Sequence, residues 1–229
     1  MPDDPIQRMQ LEEKRRVVDQ DKALQQAKKE FGEAVNKAMP EVVKGGETLE
    51  LVLYPDARLR QVCETVEKFD SEVRELLKDM AYTMYMCGGV GLSGPQVGQL
   101  RRLFVADWSG EKGKLITVVN PDVLEVGPKS DQQIEGCLSF PGVRFPVERP
   151  LAIRAHWWTE HGKEVDLWLE GWAARIFLHE VDHLDGKIYL DRVSMFTRRM
   201  ALKKMNKIRQ KVERDKKQGQ RRKQKRGWR

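Results

Sequence analysis

Apolar positions recur along this chain with two periods, and each period predicts its own kind of element. Val17, Leu24, Ala27, Phe31, Ala34 and Ala38 are spaced by 7, 3, 4, 3 and 4 residues. That spacing is one helical stripe and predicts a long helix over residues 6–39. The other faces carry Lys, Glu, Gln and Asp. A narrow stripe with Ala positions suits docking on an existing surface better than pairing with a partner. Met39-Pro40 stops the helix and Gly45-Gly46 reads as a linker. Residues 49–53 look like a strand, followed by a turn at Tyr54-Pro55-Asp56. A second helix is predicted from Ser71, as N-cap, to Met86, with Val73, Leu76, Leu77, Met80 and Met84 facing inward.

Short strand candidates follow at Leu103–Ala106, Leu115–Val119, Val123–Val126, Leu151–His156 and Glu164–Leu169. Asn120-Pro121 and the segment 160–163 supply turns between them. Helical spacing returns at Gly171–Leu184, with Asp185-Gly186 as its stop. Residues 195–215 read as a basic helix, and 216–229 as too polar to order alone. No internal repeat is found. The predicted class is α+β: antiparallel sheets packed around the helix at 171–184. The expected division is an amphipathic helical extension (1–47), a body (48–195) and a basic helix and tail (196–229).

Charge sharpens that division. The 229-residue chain has a net charge of +7. Residues 198–229 hold 16 Lys and Arg against Glu213 and Asp215, so this end carries +14 and residues 1–197 carry −7. A basic end on an acidic body points to a polyanionic partner, with a solvated tail as the plain alternative. No apolar run reaches the roughly 18 residues of a membrane span, so no membrane partner is expected. Cys63, Cys87 and Cys137 are an odd number, and Met1-Pro2-Asp3-Asp4 does not open a secretory signal. Both observations favour a reducing, cytoplasmic setting.

The chemistry centres on Leu178-His179-Glu180-Val181-Asp182-His183-Leu184. Histidines four apart share a helix face, so two imidazoles can hold one metal ion while Glu180 serves as general base. The short pattern alone is equally compatible with an ordinary surface helix. A catalytic site usually takes three protein ligands. His156, in a strand candidate, and His161, in a turn, are poorly placed to be the third. Cys137 in Glu135-Gly136-Cys137-Leu138-Ser139 is better placed, whereas Cys63 and Cys87 read as small buried hydrophobes. A third cluster, Gly89-Val90-Gly91-Leu92-Ser93-Gly94-Pro95-Gln96, is a Gly-rich turn with no dinucleotide or P-loop signature.

In this order the three clusters resemble those of peptide deformylases, metalloenzymes that remove the N-formyl group from nascent chains. That family carries Gly-x-Gly-Leu-Ala-Ala-x-Gln, Glu-Gly-Cys-x-Ser and His-Glu-x-x-His. The second and third are intact here, while Ser93-Gly94 stands where Ala-Ala is commonest. The resemblance covers roughly residues 49–195, leaving the N-terminal segment and the basic tail outside.

It implies a divalent ion on Cys137, His179 and His183: typically Fe(II), with Zn, Ni or Co as substitutes. It implies Glu180 as base, and the Gln96 side chain and Leu138 backbone N–H as donors to the developing oxyanion. Gly91 would meet the substrate backbone. Val90, Trp172, Ile176 and the His179 ring would form the pocket for formyl-Met, with Arg144 touching the peptide. Core packing is an equal alternative for Trp172 and Ile176. In bacterial relatives the C-terminal helix docks on the ribosome, which makes rRNA the expected partner of 198–229. Two other readings share the histidine pattern. A peptidase acting on internal bonds would use a third His or Glu as ligand. A non-catalytic RNA-binding relative would be expected to have lost Glu180, Gln96 or a ligand, and all are present.

Overall fold

The computed structural model describes residues 43–109 and 114–226, the final turns of the last helix by their backbone alone. The predicted helix over 6–39 lies outside the described residues. Within them the class is α+β, as expected. Five strands form one antiparallel sheet in the order β1 (Gly91–Ser93), β2 (Leu103–Ala106), β3 (Ile116–Val126), β6 (Ala152–Trp158) and β7 (Glu164–Glu170). A separate antiparallel pair joins β4 (Ser130–Gly136) to β5 (Arg144–Pro150). Three α-helices complete it: α1 (Ser71–Met86), α2 (Gly171–Leu184) and α3 (Met195–Arg226).

Packing follows the apolar stripes. Leu77, Met80 and Met84 of α1 cluster with Leu92, Leu103, Val105 and Val119 of the sheet. Ala174, Ile176, Phe177 and Leu184 of α2 meet Phe104, Val118, Ile153, Ala155 and Trp157 on the sheet. In a third cluster Ala201 and Met205 of α3 pack with Phe140, Val143, Val147 and Tyr189. These two α3 residues are one turn apart, so one face anchors the helix while Arg199, Lys203, Lys204 and Lys207 remain exposed.

Several expectations need correction. Residues 49–53 form no strand. Leu49 N–H donates to Thr83 Oγ1 (2.9 Å), Val52 N–H to Gln96 O (2.8 Å) and Tyr54 N–H to Ser139 O (3.1 Å). Those partners belong to a helix and two turns, so the segment has no strand to pair with. The N-cap of α1 is Asp70, not Ser71, because its carboxylate accepts from Val73 N–H at 3.1 Å.

Asn120-Pro121 is not a turn: β3 runs straight through it as a bulge, with the register shifting between Val119 and Asp122. Asn120 adopts a positive φ of 51°, and its side chain bonds Val66 N–H and Val66 C=O, each at 2.8 Å. Backbone of α3 stays helical to Arg226, past the predicted end at 215. Lys, Arg and Gln are good helix formers, and intrahelical bonds need no core.

Candidate active site

Strand β7 feeds α2 through Gly171, whose φ of +55° lies in the left-handed region that favours glycine. Its N–H donates to Leu151 O at 2.7 Å, so the chain reverses sharply from sheet into helix. This points His179 and His183 inward, with ring centroids 5.2 Å apart. Gly136 ends β4 and delivers Cys137 to the same place. Cys137 Sγ lies 3.2 Å from His183 Nε2. The ligating atoms of Cys137, His179 and His183 all fall within 4.8 Å of one another. An ion about 2.0–2.3 Å from each donor fits that spacing. One thiolate with two imidazoles suits a borderline-soft divalent metal.

A buried charge cluster holds the first histidine. Glu135 accepts from His179 Nδ1 at 2.9 Å, which leaves Nε2 for an ion. The same carboxylate accepts from Arg149 Nε (2.9 Å) and Nη2 (3.0 Å), and from Arg175 Nη1 (2.7 Å). Arg149 Nη1 continues to Asp182 at 2.6 Å, and Arg192 also bonds Asp182. Arg149 and Arg175 are each only 2% exposed. Burial alone would raise the Glu135 pKa, but His179 and Arg149 outweigh it and hold the carboxyl near 2. Burial also disfavours charge on His179, yet without an ion the Cys137 sulfur and Glu135 carry its pKa up to about 10. His183 is pushed well down by burial and then by its charged neighbour His179.

Glu180 sits beside Cys137, His179 and His183 without joining their cluster. Burial raises its pKa to about 7. Its Oε2 is buried with no hydrogen-bond partner among the described residues, as is His183 Nδ1. Strand β1 presses against this carboxylate: a Cβ at Gly91 would lie 2.3 Å from Glu180 Oε1, so a side chain there would push the carboxylate aside. Gln96, 1% exposed, points its Nε2 toward Cys137 Sγ (3.2 Å) and Ser139 Oγ (3.3 Å).

An open cavity of about 490 Å³ leads to these groups. It is lined by Val90, Gly91, Gln96, Cys137, Leu138, Arg144, Trp172, Ile176, His179 and Glu180. His183 lies behind them, fully buried. Among the described residues, His156 instead bonds Glu164 (2.7 Å) and His161 lies by Glu160, so neither joins the cluster. Cys63 is buried as expected, but Cys87 is not: it is exposed and lies at the mouth of the cavity, just past the end of α1.

A model of the polypeptide deformylase family matches residues 48–199. The chain belongs to this family. Polypeptide deformylases are metal-dependent hydrolases that remove the N-formyl group from nascent polypeptides, and this is the activity of the chain. The peptide deformylase of Hydrogenovibrio crunogenus is 38% identical over 159 residues, covering 69% of this chain and 94% of that protein. That of Aquifex aeolicus is 40% identical over 163 residues, covering 69% and 95%. The crystal structure of a peptide deformylase from Legionella pneumophila superposes with a TM-score of 0.69 at 36% identity, covering 73% of this chain and 98% of that one. The Ehrlichia chaffeensis enzyme in complex with actinonin gives 0.67 at 35% identity, covering 70% and 97%.

The charged residues behind the deformylase site were not foreseen from sequence. A signal existed. Arg175, His179 and Asp182 fall at i, i+4 and i+7, one stripe of a helix whose other inward positions, Glu180 and His183 apart, are apolar. Buried charges on a core-facing stripe need partners, and Glu135 beside the ligand Cys137 was the acid to suspect.

Proposed function

We propose that deformylation proceeds with Cys137, His179 and His183 holding one divalent ion and with Glu180 as the general base. The observation that carries this reading is the buried, unpartnered Glu180 Oε2 beside three converging donor atoms. The bound ion supplies Lewis acidity and makes a water easier to ionise. Glu180 takes the proton of the attacking water and returns it to the amine that leaves as formate is released. A pKa near 7 suits both halves of that task. The Gln96 amide and the Leu138 backbone N–H receive the negative charge that develops on the formyl oxygen. Losing one such donor costs about 2.7–4 kcal/mol of barrier. Fe(II) is the assigned metal, with Zn, Ni or Co able to substitute, because a single thiolate admits all four.

Substrate enters through the 490 Å³ cavity. The methionine side chain of a formylated nascent chain lies against Val90, Trp172, Ile176 and the His179 ring. Arg144 at the cavity wall contacts the peptide, and Gly91 offers its backbone in strand fashion. Trp172 is 42% exposed and Ile176 4%, so the pocket has a floor and an open lip. The division into an extension (1–47), a catalytic body (48–195) and a basic helix (196–229) is kept. The exposed basic face of α3 is the rRNA-binding element, held by phosphate contacts and therefore weakened by salt. Three free cysteines suit the cytoplasm, where ribosomes present the substrate.

The test is formate release from a formyl-Met peptide by the Fe(II) protein and its Glu180→Gln variant at matched metal content. A loss of about 10²- to 10⁴-fold in the variant is expected. Equal rates would rule Glu180 out as the base.

A further inference from the structure

Position 93 is one of two adjacent positions, with Gly94, where the chain departs from the commonest family motif, and it falls inside the site. Ser93 ends β1 and is fully buried. Its backbone N–H donates to Gln96 Oε1 at 2.9 Å; its hydroxyl, which has one hydrogen, donates to the same oxygen at 2.8 Å and also neighbours the Glu180 carboxylate, whose pKa it lowers against burial. A carbonyl oxygen has two lone pairs, so these donors fill it. An amide turned over by 180° would set its NH2 against the Ser93 backbone N–H, donor facing donor, and its oxygen against the Cys137 sulfur, which now faces Nε2 at 3.2 Å. Proline at 95 and the left-handed Gly98 fix the short turn that carries Gln96. The backbone thus supplies one anchor that any residue at 93 could give. The hydroxyl supplies a second that alanine cannot.

We propose that Ser93 is a positioning residue for deformylation, its hydroxyl clamping Gln96 Oε1 so that Nε2 stays aimed at the site. This rests on the reading of Gln96 as an oxyanion donor. Nε2 has two hydrogens and faces Cys137 Sγ and Ser139 Oγ. To serve the developing oxyanion it must turn one hydrogen away from these partners. With Oε1 pinned twice, the amide pivots about that oxygen and does not drift. Removing the hydroxyl leaves a single pin, so the donor is less well ordered when charge develops, while ground-state peptide contacts made elsewhere in the cavity are untouched.

A double-mutant cycle tests this, with Ser93→Ala, Gln96→Ala and both together in the Fe(II) holoenzyme. Alanine at 93 is the commoner family residue, so the variant is expected to fold and to bind one metal equivalent. Ser93→Ala should lower kcat about 3- to 10-fold, the worth of one neutral hydrogen bond, with KM unchanged. The effect should vanish in the Gln96→Ala background. The Co(II)-substituted protein gives an independent readout: its sulfur-to-metal charge-transfer band should shift in Ser93→Ala, because the amide that bonds Cys137 Sγ has loosened. Ser93→Cys, of similar shape but a weaker donor, should give an intermediate kcat. An unchanged kcat and band in Ser93→Ala, beside a large loss in Gln96→Ala, would overturn the role of Ser93 and leave that of Gln96 standing. Equal losses from Ser93→Ala in both backgrounds would overturn it too. Full activity in Gln96→Ala would remove the oxyanion reading and this inference together.

Discussion

Arginine is used in opposite ways in two parts of this molecule. Behind the Cys137, His179 and His183 cluster, Arg149 and Arg175 are each 2% exposed and reach carboxylates on separate elements. On α3, Arg199 and its exposed basic neighbours project into solvent from a helix whose opposite face packs on the body. The buried pair carries geometry: its planar forks tie β4, β5 and α2 into one frame around His179. The exposed set carries field, which depends on how many charges there are and little on where each one sits. A buried and an exposed arginine therefore respond differently to the same substitution.

The largest break in this comparison should come from Arg149→Met. It leaves Glu135 and Asp182 without a shared partner in a dry site. The expected cost is about 3–5 kcal/mol in urea unfolding. Metal affinity should also fall about 10- to 100-fold in a chelator competition, because Glu135, left with Arg175 as its one arginine partner, holds the His179 ring less firmly. If stability and affinity both stay put, the cluster is not the frame described.

A smaller effect is expected from pH. The Glu135 carboxyl is held near 2, below its ordinary 4.5, so the unfolded chain takes up this proton first. Its contribution to stability is complete above about pH 4.5 and is lost as the pH falls toward 2. Glu135→Gln should flatten that acid limb in melts taken across the range; an unaltered limb would assign it to other carboxylates.

The smallest effect on stability belongs to α3. Changing Arg199, Lys203 and Lys207 together to Glu should move unfolding by only about 0.5 kcal/mol per site. Ribosome pelleting in a salt series should nevertheless lose most of the bound protein. Co-sedimentation equal to the parent's would end the rRNA reading.

The same contrast decides what was legible in the sequence. Helix α2 was read to the residue, because Ala174, Phe177 and Leu184 keep helical spacing and Gly171 and Gly186 bracket it. The ligand trio was legible for a related reason, since it stands in short local spacings. Strand β5 was missed, and β4 was legible only at its end, Glu135-Gly136. Their inward positions hold Glu135 in one strand, and Val147 with Arg149 in the other, where apolar residues would mark a core. Alternation fails there because the chain put ionic chemistry where packing would normally go. Pro146 and Pro150 obscured β5 further. The continuity of β3 was hidden by Asn120, whose contact with Val66 lies 54 residues away along the chain. Local pattern cannot report a partner at that distance.

Strand β1 lies at an edge of the five-stranded sheet, and at Gly91 it carries no side chain to hold another chain away. Under the role proposed for it, what this edge reads is the peptide link itself. Every protein that ribosomes make has the same main chain behind its first residue, whatever its sequence. An enzyme that meets its clients through that shared part, and reserves one pocket for the one residue they all begin with, is a generalist by construction. It serves a whole proteome with a single site.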